Sequence, residues 1–555
     1  MSICLLIALV GPLGAAQVEA AGLNMFPECP PPARRIVVSD LGGASLDQRL
    51  TLHTLQGLVN REGEAELYLL AADWDERWLR HLHDLGAVES AETVPREQLL
   101  DRYHDSYRTV VHYDPRVPGT INVATMVASL EDGVVVGPES GPVPTEGKRT
   151  VDLRGRWESN AEAYRWALDD LWPRMSHRVL AAYHPLGTSH MLRDYLVAHR
   201  VFTIWVTSEE KADGVVSDYG SERAVFEDLM GASPANIPLI GFVTSGLDHG
   251  LTEYAGVGLA GQYGKLSVVS NFMSNASLLS GVDADLAGSI ERYWAKPRRP
   301  CPKLDRSKVY LALCIVESGD APAYWQFRQH EVWDDPLQGR VAINWSVGPA
   351  VLELLPPMFQ YFVDRATPLD HFYTAISGAG YVHPFRDFMA QTADPEAAWD
   401  DYLELTNRSM RALGSTSLGL YTDAWRTFDR GAGDPVTRRF AEGLPMVDVL
   451  VMGMGRDDGL TEDTAMYILP GTDVLVTHIL SRWPHDHGTR SREENIAWLV
   501  EDIRGQTPEE RPAFMSVMAL SWSHDASSLR EVLDRLGPDY VPVLLPELRT
   551  LWESR

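Results

Sequence analysis

Val309-Tyr310-Leu311-Ala312-Leu313-Cys314-Ile315-Val316 is an unbroken apolar run of strand length, the pattern of a strand buried on both faces. Seven further strand candidates follow it: Arg340 to Trp345, Phe372 to Ile376, Ser417 to Tyr421, Val447 to Met452, Asp473 to Leu480, Ala513 to Leu520 and Tyr540 to Leu545. Most gaps between them carry helical spacing, as in Val351 to Val363, Ala397 to Leu413, Glu493 to Ile503 and Ser528 to Leu536. Eight βα units in about 250 residues is the arithmetic of a (β/α)8 barrel, so residues 308–555 are expected to form a barrel-like domain. An open doubly wound sheet shares that periodicity and stays open as the alternative.

Upstream, strand-like and helical patterns also alternate, as in Arg35 to Ser39, Ser45 to Asn60 and Ala65 to Leu70. The whole chain therefore reads as α/β with parallel sheets. Residues 33–148 are expected to form an N-terminal α/β domain and 151–295 a second, separated by the Gly/Pro-rich stretch Gly137 to Gly147. Lys296 to Pro302 holds three prolines and three basic residues, so 296–307 reads as a linker. At the N-terminus, the apolar run Ile3 to Leu13 is too short for a membrane span, and Val18-Glu19-Ala20 offers a cleavage pattern. Residues 1–20 are thus expected to be a signal peptide and the protein extracytoplasmic, without membrane insertion. Cys29 and Cys301 both lie beside prolines in loop contexts and are expected to be bridged, whereas Cys314 lies inside an apolar strand.

The 49 Lys+Arg against 77 Asp+Glu give a formal charge of −28. That repels phosphate backbones and anionic lipid, which argues against a nucleic-acid partner, while neutral sugars remain open. No P-loop, H-E-x-x-H, C-x-x-C or G-x-S-x-G pattern occurs, so no cofactor is expected. Gly256-Val257-Gly258-Leu259-Ala260-Gly261 matches G-x-G-x-x-G, but no apolar strand immediately precedes it, so it is read against dinucleotide binding.

In a barrel or a doubly wound sheet, ligands bind at the carboxyl ends of the strands. The residues there include Glu317 and Asp320, Trp345, Ser377 to Pro384, Asp423, Asp457 and Asp458, Trp483 with His485 and His487, and Trp522. Carboxylates and aromatic rings thus crowd one rim. Sugars are gripped by aromatic faces and hydrolysed between two carboxyl groups, about 5 to 5.5 Å apart for retention and about 6.5 to 9.5 Å for inversion. Asp320 and Asp423 are the first candidates for that pair, with Glu317 and Asp457 behind them. Trp345, Ser377, Tyr381, His383, Trp483 and Trp522 are the candidate substrate contacts. A metal-dependent hydrolase such as a carbohydrate deacetylase, with His485, His487 and Asp320 as ligands, is an alternative. A non-catalytic glycan-binding protein is another.

Gly378-Ala379-Gly380-Tyr381-Val382-His383-Pro384 resembles the signature of the GxGYxYP family, with His383 in place of its second tyrosine. Leu55-Gln56-Gly57-Leu58-Val59-Asn60-Arg61, Asn275-Ala276-Ser277 and Gly339 to Trp345 resemble further family segments. The resemblance implies N-terminal α/β domains ahead of a barrel-like domain, in extracytoplasmic proteins assigned to glycoside hydrolysis, with an oligo- or polysaccharide substrate. The family pattern carries an Asp-Gly-Asp-Asn-like segment where this chain has Ser318-Gly319-Asp320-Ala321. One carboxylate remains there. Glu317 replaces the other only if alternation along the strand lets it reach the rim.

Overall fold

A computed structural model describes residues 23–207, 218–243, 251–316, 319, 321–422, 435–457 and 460–555. Residues 1–20, the expected signal peptide, lie outside that set, as do Glu317, Asp320, Asp423 and Asp458. The N-terminal half holds three parallel sheets. Strands β1 (Pro32–Asp40), β2 (Ala65–Leu70) and β3 (Ser90–Thr93) form the first, in the order β2-β1-β3. Strands β4 (Thr109–His112), β5 (Gly133–Val136) and β6 (Arg149–Asp152) form the second, in the order β5-β4-β6. Gly137 to Gly147 therefore joins two strands of one sheet. The third contains β7 (Ser176–Ala182), β8 (Val201–Ile204), β9 (Ile237–Gly241) and β10 (Lys265–Val269), ordered β10-β9-β7-β8.

All eight apolar runs of the C-terminal half are strands, with an additional short one among them. They are β11 (Val309–Ile315), β12 (Ile343–Val347), β13 (Asp370–Thr374), β14 (Ser417–Leu420), β15 (Val449–Met452), β16 (Met466–Ile468), β17 (Leu475–His478), β18 (Ala513–Ala519) and β19 (Tyr540–Pro542). Every pairing is parallel except β16 with β17. The sheet curls so that β17 and β18 meet through a single parallel bridge, Ile479 to Ser516. A regular eightfold barrel would set the last strand between its predecessor and the first. Here β18 pairs with β11 along its whole length, and β19 shares the opposite edge of β11 with β12. The Asn344 amide reaches across that junction, donating to Leu313 O at 3.0 Å and accepting from Leu545 N at 2.9 Å. The expected (β/α)8 order is thus replaced by a curled sheet with a short strand wedged beside β11.

The predicted Cys29–Cys301 bridge is absent, and Cys29, Cys301 and Cys314 are all free thiols. Cys29 packs on the third sheet's domain, its Sγ 3.0 Å from His199 Nε2, and burial pushes its thiol up to about 12. Cys301 lies against the carbonyl of Glu547 near the C-terminus instead. Proline-flanked loops gave the two cysteines similar surroundings in sequence, but their chain segments run to different parts of the molecule.

A buried polar cluster joins the first sheet, the third and the C-terminal half. Asn275 is fully buried in the left-handed region at φ 56°, and its amide accepts from Leu69 N at 2.8 Å and donates to Leu69 O at 2.9 Å, extending the edge of β2. Gln56 donates to the same amide at 2.7 Å, and Asn60 donates to Ser277 Oγ at 3.0 Å. Gln326, from the helix Pro322–Phe327 beyond β11, clasps the backbone of Ser274, accepting from its N–H at 3.1 Å and donating to its carbonyl at 3.0 Å. Each partner is buried, so removing Asn275 strands several groups at once, at about 1–3 kcal/mol for a stranded group. Asn275→Ala is expected to lower the free energy of unfolding by about 3 kcal/mol, read as a shifted denaturant midpoint with unchanged slope.

Candidate active site

Two cavities lie at the carboxyl ends of the curled sheet's strands, beneath the third N-terminal sheet. The smaller, 520 Å³, is walled by Phe272, Tyr324, Phe327 and Trp522 and by the loop around His184 and Thr188. The larger, 860 Å³, is walled by Tyr254, Tyr381, Tyr421, Trp498 and three arginines. Glu253, Met454 and Trp483 line both, so the cavities are neighbours sharing one wall. Both sizes fall in the range of about 300–1,000 Å³ usual for small-ligand sites. A depression of 1020 Å³ opens at the opposite end, around Arg306, Ala513 and Trp552, where the strands begin and where barrel enzymes keep no chemistry.

Glu253 opens the helix Glu253–Gln262, whose N-cap Thr252 accepts from Ala255 N at 3.2 Å. Its Oε1 accepts the Tyr381 hydroxyl at 3.1 Å. Removal from water pushes the Glu253 carboxyl above the ordinary glutamate range, and the bond from Tyr381 only partly opposes this. The G-x-G-x-x-G stretch lies inside this helix and is its small face. A Cβ on Gly256 would sit 2.6 Å from Val243 Cγ1, and one on Gly258 or Gly261 would press on His383 or Phe388 at 3.4 Å. Gly256 thus lets the helix settle on Val243 of its own domain, while Gly258 and Gly261 face the C-terminal half. They form no phosphate loop.

The Gly378–Pro384 motif builds the other side. Gly378 has φ 104°, and a Cβ there would strike Thr406 Oγ1 at 2.6 Å. Gly380 lies so close to β10 that a Cβ would come within 2.8 Å of Leu266 Cβ. Tyr381 then pairs antiparallel with Ser267, its N–H donating to Ser267 O at 2.9 Å and its carbonyl accepting from Ser267 N at 3.3 Å. Tyr381 is 3% exposed, so it serves Glu253 rather than offering an open stacking face. His383, equally buried, stacks on Tyr421 with ring centroids 4.4 Å apart and packs against Tyr254 at 4.5 Å. Ser377 is fully buried and braces the turn, with its Oγ accepting from Tyr421 N at 2.9 Å.

Of the remaining candidates, Trp522 is 46% exposed at the mouth of the smaller cavity, beside Phe272 at 42%, both packed on Phe327. Trp483 forms part of the shared wall. Trp345 is fully buried between sheet and helices, donating from Nε1 to Asp370 at 3.0 Å and packing on Trp333, so it presents no face to a ligand. Alternation along β12 turned it outward and its neighbour Ser346 inward, toward Val316 O at 2.7 Å. Asp457 lies beneath the floor of the larger cavity, 1% exposed, where it accepts from Thr422 Oγ1 at 2.9 Å and lies 3.3 Å from His478 Nδ1. His485 faces the larger cavity and His487 the smaller, and among the described residues no group of three His, Cys, Asp or Glu side chains is arranged to hold a metal ion. Asp320, Asp423, Glu317 and Asp458 lie outside the described residues.

Strand-end reasoning missed Glu253 because it comes from the third N-terminal sheet's domain. The signal available was the small-residue helix that Glu253 opens behind its Thr252 cap. It also missed the loop Thr188–Leu192, where Thr188, Ser189, His190 and Leu192 all have positive φ between 50° and 67°. Such non-glycine conformations cost about 1–3 kcal/mol each and persist only where the surroundings hold them. Here Arg193, fully buried, does so by donating to His190 Nδ1 at 3.1 Å, Thr125 Oγ1 at 2.8 Å and Pro185 O at 3.1 Å.

Four family models match the chain: "GxGYxYP_N 1st domain" over 35–105, "GxGYxYP_N second domain" over 107–175, "GxGYxYP third domain" over 177–281 and "GxGYxYP putative glycoside hydrolase C-terminal domain" over 307–552. Among solved structures, the chain is similar to a crystal structure described as a putative hydrolase from Bacteroides thetaiotaomicron VPI-5482, with TM-score 0.74 and 17% identity over 98% of each chain. At that identity the likeness speaks for the fold. No curated protein matches the chain. With all four models in their order along one polypeptide, the chain belongs to the GxGYxYP family.

Proposed function

We propose that this protein is a glycoside hydrolase whose substrate lies across Glu253, in the cleft between the third N-terminal sheet and the rim of the curled sheet. The observation that carries this reading is a half-buried carboxyl, raised above its usual range, in the wall shared by two aromatic-lined cavities. A general acid must still hold its proton at working pH, and desolvation moves Glu253 in that direction. It protonates the glycosidic oxygen as the bond to the anomeric carbon breaks. Tyr381 holds the carboxyl in place through Oε1 and leaves the other oxygen for the proton.

A second carboxylate must attack the anomeric carbon or activate water on the far face of the sugar. Asp320 and Asp423 are the proposed candidates, and their chain neighbours Ala321 and Thr422 line the smaller and larger cavities respectively. Trp522 and Phe272 supply apolar faces for the C–H side of a sugar ring.

Glu253→Gln is expected to lower kcat/KM on unactivated glycosides by about 10²–10⁴-fold. With a dinitrophenyl glycoside, whose leaving group needs no proton, the loss shrinks sharply. Wild-type activity declines on the alkaline side as Glu253 loses its proton, above the ordinary glutamate range, and this limb vanishes from the residual rate of the variant. Equal turnover by variant and wild type would remove Glu253 from the mechanism. Asp320→Asn and Asp423→Asn, assayed on the same substrates, identify the second carboxylate as the one whose loss also stops the dinitrophenyl substrate. If binding on a glycan panel survives all three substitutions and no glycoside is cleaved by the wild type, the protein is a glycan-binding protein instead.

Trp522→Ala is expected to raise KM by about tenfold, in line with the loss of about 1 kcal/mol or more of stacking, with kcat little changed. Steady-state kinetics on a glycoside long enough to fill the smaller cavity measures this.

A further inference from the structure

The two cavities beside Glu253 differ in charge. Among the described residues, the smaller is lined mainly by aromatic and apolar side chains, together with His184, Thr188, Asn271, His487 and Glu253, and has no lysine or arginine. The larger is lined by Arg456, Arg482 and Arg490, against the exposed carboxylate of Asp486 and Glu253 itself. In a chain of net charge −28, three guanidinium groups on one cavity wall run against the overall composition.

These arginines are positioned in advance. The Trp498 ring lies under two of them, with the Arg490 guanidinium 5.0 Å and the Arg482 guanidinium 6.0 Å from its centroid. Arg490 is half-buried, meets Asp486 at 3.4 Å through Nη2, and keeps Nη1 buried without a hydrogen-bond partner among the described residues. Arg456 donates from Nη2 to Leu460 O at 2.9 Å, and no described carboxylate pairs with it. Arg482 is anchored to Asp502 at 2.6 Å and is otherwise exposed. A planar guanidinium fork on a cavity wall suits an oxyanion, which it binds in charge-assisted, often bidentate fashion.

We propose that the larger cavity takes an anionic sugar, a uronic acid or a sulfated residue, and that the smaller takes a neutral sugar, so that the bond cleaved beside Glu253 joins a charged residue to an uncharged one. This rests on the glycoside hydrolase reading. The shared chemistry is an oxyanion on a pyranose ring held by Arg490 and Arg456 in the cavity that Tyr254 and Tyr421 also line.

The test is calorimetric titration of the full chain carrying Glu253→Gln with an unsulfated chondroitin tetrasaccharide, in which uronate and neutral sugar alternate, with its sulfated form, and with the carboxyl-reduced counterpart of each. The uronate-bearing or sulfated sugars are expected to bind at least about tenfold more tightly than their neutral counterparts, the scale of one hydrogen bond to a charged group. Adding Arg490→Gln or Arg456→Gln is expected to erase most of that difference while changing affinity for the neutral counterparts by less than about twofold. Tight binding that survives carboxyl reduction only in the sulfated chain identifies sulfate as the anion, and binding lost on reduction identifies the carboxylate. Equal affinity for charged and neutral chains, with neutral glycosides still hydrolysed by the wild type, overturns the charge assignment and leaves the hydrolase reading standing. Failure of every saccharide to bind or to be cleaved overturns both.

Discussion

The backbone pairing between Tyr381 and Ser267 is the constraint on which the site depends. Two hydrogen bonds, 2.9 and 3.3 Å long, tie β10 of the N-terminal half to the rim of the curled sheet. They form only because Gly380 carries no Cβ to meet Leu266. The helix Glu253–Gln262 runs directly into β10, so pinning β10 also pins the helix, and its glycine face closes on His383 and Phe388. The position of Glu253 follows. The same tyrosine that supplies the backbone bridge supplies the hydroxyl that holds the acid. Sheet docking and acid placement are thus one structural event, which gives a physical reason for the motif's glycines and tyrosine to occur together.

The fold was largely legible from periodicity. Unbroken apolar runs such as Val309 to Val316 mark buried parallel strands because both faces are covered, and all eight runs are strands in the C-terminal half. Strand order was not legible, because the pairing of β19 with the lower edge of β11 depends on Asn344 bridging to Leu545, a contact some 200 residues apart in sequence. The Cys29–Cys301 expectation failed for a related reason: local proline context says nothing about where two distant segments end up. At the site, Trp522, Trp483 and Tyr381 could be named from strand ends. Glu253 could not, because a rule that looks beyond strand ends of one sheet does not see a residue lowered onto that rim by another. Trp345 shows the opposite error, where a residue at a strand end faced the helices through simple alternation.

Two opposing effects act on Glu253. A carboxylate in the first turn of a helix is stabilised by the positive end of the helix dipole, by about 0.3–1 kcal/mol at exposed sites. Tyr381 adds a hydrogen bond that also favours the charged form. Burial opposes both and wins, since the carboxyl ends above its usual range. Burial thus moves Glu253 in the direction a proton donor needs, while the helix dipole and Tyr381 would stabilise the anion left after transfer. Charge brought near by a ligand shifts the balance further: an oxyanion in the adjoining cavity disfavours the carboxylate and strengthens retention of the proton until transfer.

The overall acidity and the arginine wall are compatible because they act over different distances. At physiological ionic strength, fields from surface charges fade within about 8 Å, so most of the −28 is invisible to a ligand inside the cleft. Guanidinium groups lining a cavity with low-dielectric aromatic walls act at contact distance, where screening is weak. On the proposed reading, the surface charge would slow the approach of an anionic chain without weakening its hold once seated. Added salt should then act in two directions, speeding encounter by screening the surface while loosening contact only modestly. If the larger cavity takes an anionic sugar as proposed, an acidic exterior around it would select for ligands that pair their charge at one place over polyanions charged along their whole length.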